Sequence, residues 1–200
     1  LCCQSALGND SWLNLCPACT DALNRLFEKQ EADDALLPPQ GIECAFAAFP
    51  YTDAAKTLIL LLKYGSIRAA ANPLANAMSA RFCGKADILV PVPTTKHRLR
   101  ERGYNQAQVL ANALHPLLNL PVVPALTRRN EQASQTTLNA EERRLNLIGC
   151  MTSDASVASK RVLLIDDVLT TGSTATEAAR ALRSAGAVSV SILVAAKTSQ

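Results

Sequence analysis

"VLLIDDVLTTGST", Val162 to Thr174, sets four apolar residues ahead of two adjacent acids and then runs into small hydroxyl residues around a glycine. Four consecutive apolar residues bounded by such a turn read as a buried strand, Val162 to Ile165. Thr174 with Glu177 gives a capping-box pattern for a helix to about Ala185, and Gly186 stops it. Val188, Val190, Ile192 and Val194 then alternate as a further strand. Strand, helix and strand joined by short loops predict an α/β fold with a parallel sheet and a right-handed crossover. Ligands collect at the carboxyl ends of such strands, which is where this reading puts Asp166 and Asp167.

The turn after the acids suits an anion. Its backbone N–H groups, the hydroxyls of Thr170, Thr171, Ser173 and Thr174, and the positive end of the following helix form a phosphate cradle. Gly172 lets the backbone approach closely. The spacing is not that of a Walker loop, because no lysine follows the glycine. A sugar diol beside a phosphate would use both carboxylates as hydroxyl acceptors. Neighbouring strand residues face opposite ways, so both acids serve one ligand only if the chain has left strand geometry there. An acidic strand end beside a capped helix, or a response-regulator-like acid cluster, is the alternative reading.

Upstream, the alternating pattern continues. "IECAFAAFPYT" reads as a strand, Asp53 to Lys63 as a helix ended by Gly65, and Asn72-Pro73 as the cap and first position of a helix to about Phe82. "DILVPVP" is a short strand, followed by a basic loop from Thr94 to Gly103 and a helix starting at Asn105. "PVVPAL" is another short strand. Thr127 to Thr137, with only Ala133 apolar, reads as a surface loop or flap before a helix capped by Asn139 and Glu142. His115, next to Pro116 near a helix end, reads as structural, and no nucleophile and general-base pair stands out.

The first 40 residues form a separate unit in this reading, with residues 41–200 as the main domain. Cys2 and Cys3 precede a Cys16-Pro-Ala-Cys19 knuckle, and Thr20 caps a helix to about Leu36. Thiolates at the Cys16 and Cys19 spacing can share one Zn²⁺, with either Cys2 or Cys3, or the adjacent pair together, as further ligands. The chain opens at Leu1, so a partner cysteine is expected to lie just upstream; reduced structural thiols are the alternative. Cys44, Cys83 and Cys150 sit in apolar contexts and read as core residues.

Composition sets the outer bounds. With 200 residues, 48% hydrophobic, the chain can bury one substantial core. No apolar run approaches the roughly 18 to 20 residues that cross a bilayer, so no membrane insertion and a cytoplasmic location are expected. Seven irregularly spaced cysteines argue against a disulfide framework. The first 50 residues hold seven acids against two bases, which leaves the basic excess, and an affinity for phosphates, to the remainder.

The opening stretch resembles the ribose-phosphate signature of type I phosphoribosyltransferases over thirteen consecutive positions. "VPVPTTKHRLRERGYNQAQVLA", "QTTLNAEERRLN" and that signature, in this order, resemble the ComF/GntX group of competence-associated phosphoribosyltransferase-like proteins, which commonly begin with a cysteine-rich zinc module. The resemblance implies a type I phosphoribosyltransferase fold, Rossmann-like with a mainly parallel sheet flanked by helices, behind a small zinc-ribbon-like module. It implies that Asp166 and Asp167 hold the ribose hydroxyls of phosphoribosyl pyrophosphate, with Thr170, Thr171, Gly172, Ser173 and Thr174 around its 5-phosphate. Lys96, Arg98, Arg100 and Arg102 would neutralise the diphosphate together with Mg²⁺. A solvated charge run or a nucleic-acid contact is the other reading of that loop. Arg128, Gln132 and Gln135 would contact the ligand from a lid that excludes water, or lie on an ordinary exposed loop.

The acceptor is not implied. Members that use purines often carry another acid at the position of Thr170, which weakens a 6-oxopurine assignment and leaves adenine-like, pyrimidine-like or amine acceptors open. These 200 residues show no glutamine-hydrolysing pattern, so a full amidophosphoribosyltransferase is not expected. The expected function is Mg²⁺-dependent phosphoribosyl transfer associated with DNA uptake. The alternative is a non-catalytic adaptor of natural transformation, working with competence proteins or single-stranded DNA.

Overall fold

The computed structural model describes residues 15–31, 37–129 and 149–198. A four-stranded, wholly parallel sheet is built from β1 (Ala45–Pro50), β2 (Ile88–Pro91), β5 (Arg161–Leu169) and β6 (Ser189–Lys197), in the order β1-β6-β5-β2. The helices are α1 (Pro17–Glu31), α2 (Asp53–Tyr64), α3 (Ala71–Arg81), α4 (Lys96–Arg102), α5 (Gln106–Leu118) and α6 (Ser173–Ser184). A small antiparallel pair, β3 (Leu126–Arg128) with β4 (Met151–Ser153), lies apart from the sheet. None of the described helices is long and apolar enough to cross a membrane.

Strand alternation divides the core in two. Leu163 and Ile165 of β5 pack with α2, α3 and α5 on one face, around Leu58, Leu62, Leu74, Met78, Leu110 and Leu114. Val162 and Leu164 pack on the other face with α6 and the β3–β4 pair, around Ala178, Leu182 and Met151. Glu177 ties that second layer together. It is buried, accepts the Met151 N–H at 3.1 Å and pairs with Arg180 at 2.8 Å. Those hydrogen bonds hold its carboxyl below the usual range against the cost of burial.

Several sequence readings shift. β6 is central, so it alternates only at its start and is then buried from Ile192 to Ala196, while Val188 stays outside it and exposed. α6 starts at Ser173 behind a left-handed Gly172, not at a Thr174 cap. That offset puts Glu177 too far along the helix for a capping box and turns it inward to β4. α3 starts at Ala71, directly after a 3₁₀ turn, so Asn72 and Pro73 lie in its first turn. "PVVPAL" contributes only an isolated bridge, Leu89 to Val122, before β3. Cys44 and Cys83 are exposed at the start of β1 and beyond the end of α3, so neither is a core residue. The helix expected at Asn139 and Glu142 lies outside the described residues.

The amino-terminal boundary near residue 40 is not a boundary in the core. α1 starts at Pro17, where the proline ring pre-sets φ, three residues before the expected Thr20 cap. Leu15, Cys16, Cys19 and Leu23 are buried in the same cluster as Phe49 and Leu58. Phe27 meets Phe49 edge-on at 6.2 Å, and the Arg81 guanidinium lies 3.9 Å from the centre of the Phe27 ring.

Candidate functional site

β5 outruns its neighbour. β2 pairs with β5 only as far as Pro91 opposite Ile165, and the last bond on that side is from Val92 N–H to the Ile165 carbonyl at 2.9 Å. β5 continues to Leu169 against β6. Beyond Ile165 its β2-side edge is therefore open, and the Asp167 N–H that would have met β2 is taken by Asp166 Oδ1 at 2.8 Å. The chain after β5 builds α6 on one face of the sheet, whereas that after β2 leads to α5 on the other. Adjacent strands whose connections part to opposite faces form the crevice in which α/β proteins hold ligands.

The acids are thus inside the strand, not past its end, and they face opposite ways. Asp167 points to the α2 side, where Lys63 Nζ lies 3.0 Å from its Oδ1. It is buried, and its Oδ2 has no partner among the described residues. Asp166, half-buried on the α6 side, has its carboxyl pushed up to about 7 by burial and by the neighbouring Asp167, with Lys63 and Arg128 opposing the rise. Arg128, on β3, is the one member of the expected lid that the described structure contains, and its charge acts on this site. Gln132 and Gln135 lie outside the described residues.

In the hydroxyl turn Gly172 adopts φ 75°, Thr171 Oγ1 and Ser173 Oγ lie 3.0 Å apart, and the first turn of α6 presents N–H groups with no acceptor within the helix. Thr170 and Thr171 are exposed, Ser173 and Thr174 half-buried. Pro39 closes on the turn from outside: a Cβ at Gly172 would stand 2.8 Å from its Cγ. Gly172→Ala should destabilise the protein by on the order of 2 kcal/mol, from left-handed strain and this clash together, as read from urea unfolding.

The basic stretch after β2 is a helix, not a loop. Thr95 caps it, accepting Arg98 N–H at 3.2 Å, and left-handed Gly103 ends it by donating to the Leu99 carbonyl at 2.8 Å. At 100° per residue, Lys96 and Arg100 share one side and Arg98 and Arg102 another, so the four do not converge on one diphosphate. Lys96, Arg98 and Arg100 are exposed. Arg102 is buried, bonded to Gln106 at 3.0 Å, and its guanidinium lies 4.9 Å from the centre of the Tyr64 ring.

The sequence reading missed the residues at the end of α2. Lys63 enters that reading only as the last residue of a helix, and Tyr64 does not enter it. Tyr104 donates its hydroxyl to the Leu62 carbonyl and carries Arg68 at 4.8 Å, so Lys63, Tyr64, Arg68, Arg102 and Tyr104 gather around one helix end. Only contacts between distant segments reveal this; the signal in "LKYGSIR" is no stronger than in any basic helix terminus. Cys16 and Cys19 occupy the start of α1, with Cys19 N–H bonded to the Cys16 carbonyl at 3.0 Å. Cys2 and Cys3 lie outside the described residues.

The family model described as "Phosphoribosyl transferase domain" matches residues 67–200. Competence protein F of Haemophilus influenzae is 34% identical over 110 residues, 53% of this chain and 48% of that protein. Competence protein ComFC of Bacillus subtilis is 34% identical over 155 residues, 72% of this chain and 60% of that protein. The chain thus spans about half to three-fifths of these relatives. Among solved structures, a glutamine phosphoribosylpyrophosphate amidotransferase from B. subtilis, complexed with ADP and GMP, superposes with a TM-score of 0.50. It is 19% identical, with 68% of this chain and 30% of that chain covered, a likeness of fold.

Proposed function

The chain belongs to the phosphoribosyl transferase domain family, in its ComF branch, and from that premise we propose that it binds phosphoribosyl pyrophosphate and transfers its phosphoribosyl group. The observation that carries this reading is Asp167, a buried carboxylate in an open strand edge with one oxygen that has no partner among the described residues. Leaving such an atom unpaired costs about 1–3 kcal/mol or more, and a ligand hydroxyl would recover it. Asp166 faces the other side of β5, toward the hydroxyl turn, so a sugar diol with a phosphate would reach both acids only by straddling the open edge of the strand.

Mg²⁺ fits this donor set, since the ion is usually held by one or two carboxylates plus substrate phosphates. Asp166 and Asp167 are the carboxylates available in the crevice, and the ion would supply charge neutralisation to the departing diphosphate. Structural Zn²⁺ would be held by Cys16 and Cys19 with Cys2 or Cys3. Calorimetric titration of the full chain with phosphoribosyl pyrophosphate and Mg²⁺ tests the reading. Saturable binding with a stoichiometry near one supports it, and a flat titration removes it.

A second reading, handling of single-stranded DNA in competence, draws on the surface around Tyr64. That ring is 64% exposed, backed by Arg102, with Arg68 and the exposed bases of α4 nearby. Stacking on such an aromatic is worth about 1–3 kcal/mol per base. Tyr64→Ala should then weaken single-strand binding about tenfold in a fluorescence titration at low salt. Absence of binding by the unaltered chain under those conditions would exclude direct contact.

A further inference from the structure

Lys63 contacts Asp167 directly, and the charge of Arg128 acts on Asp166 from β3. The Lys63 side chain is largely shielded, 18% exposed, and its ammonium group makes the 3.0 Å contact with the more deeply buried acid. Of the four basic residues after β2, three are exposed on diverging sides of α4 and the fourth is spent on Gln106 and Tyr64. A diphosphate attached to the sugar carbon next to the hydroxyl held by Asp167 would stand beside the Lys63 ammonium group, which already touches that carboxylate.

We propose that Lys63 is a positioning residue that neutralises Asp167 in the free protein and turns to the diphosphate when the sugar hydroxyls take its place. This rests on the reading of the crevice as a phosphoribosyl pyrophosphate site, and it assigns the diphosphate to α2. The exchange is balanced at each group. Asp167 loses an ammonium donor and gains hydroxyl donors, and its second oxygen, without a partner among the described residues, accepts one of them. Lys63 gives up a carboxylate and gains phosphate oxygens, moving only its flexible four-carbon stem. The shielded ion pair keeps a buried carboxylate from standing alone, which would be strongly unfavourable.

Two ligands separate this role from a purely structural one: phosphoribosyl pyrophosphate and ribose 5-phosphate, which carries the same phosphate and sugar hydroxyls without the diphosphate. Both are titrated with Mg²⁺ into the full chain and into Lys63→Met. The expected result is that the variant loses at least about tenfold in the ratio of the two affinities, while Lys63→Arg keeps most of the preference. Equal weakening of both ligands, or an unchanged ratio, overturns the inference and leaves the site reading intact. Failure of the unaltered chain to bind either ligand overturns the site reading itself and this inference with it. Should Lys63→Met fail to fold, Lys63→Gln, which keeps a donor for Asp167 without the charge, gives the same ratio test.

Discussion

Phosphoribosyl pyrophosphate affinity should fall by about 100-fold or more when both acids of β5 are neutralised, Asp166→Asn with Asp167→Asn. A hydrogen bond to a charged acceptor contributes roughly 1.5–3 kcal/mol, and a factor of ten in affinity corresponds to about 1.4 kcal/mol, so losing two such acceptors gives at least this effect. Asn keeps the shape and one acceptor oxygen at each position, so the loss isolates charge. The same titration with Mg²⁺ that tests binding reads the result, with circular dichroism confirming the fold. An unchanged affinity would remove both carboxylates from the site.

Asp166 alone makes the second large prediction, on stability. Its carboxyl is raised from 3.8 to about 7 by burial and by Asp167. Between those two pH values the folded chain holds a proton that the unfolded chain has released, so stability falls as pH rises and the full penalty is present above about 7. Asp166→Asn cannot ionise and should be more stable than the original chain at pH 8, with the gap closing as pH falls toward 4. Thermal melts at pH 8 and pH 4.5 check this. A gap of equal size at both values would mean that the carboxyl is not strained by ionisation. Together with the binding loss, it would mark a residue kept against stability for the sake of a ligand.

The strand of four apolar residues, the glycine turn and the parallel α/β order were legible because each is a local pattern that a buried sheet imposes. The positions of Asp166 and Asp167 in the crevice were legible too, but not their geometry. Where β5 stops depends on β6, which pairs with it to Leu169, and the openness of its edge depends on β2, which leaves at Pro91. The basic stretch after β2 carries the cap and the stop of a helix in Thr95 and Gly103, but four like charges in seven residues are as consistent with a solvated loop. Lys63 and Tyr64 were not legible: their meaning comes from Asp167 and Arg102, far away in the chain. Glu177 misled for the opposite reason, since a strong local capping pattern was overridden by a tertiary bond to Met151.

The burial of Leu15, Cys16, Cys19 and Leu23 among Phe49, Leu58 and Leu62 changes how the amino-terminal stretch should be handled. Its acidic, cysteine-bearing composition suggests a detachable tag, yet α1 is a staple driven into the larger body. A truncation chosen from composition alone, starting near residue 40, would strip the cover from Phe49 and leave a greasy scar on one side of the sheet. A chain cut near residue 40 is therefore expected to unfold at lower urea than one that keeps α1.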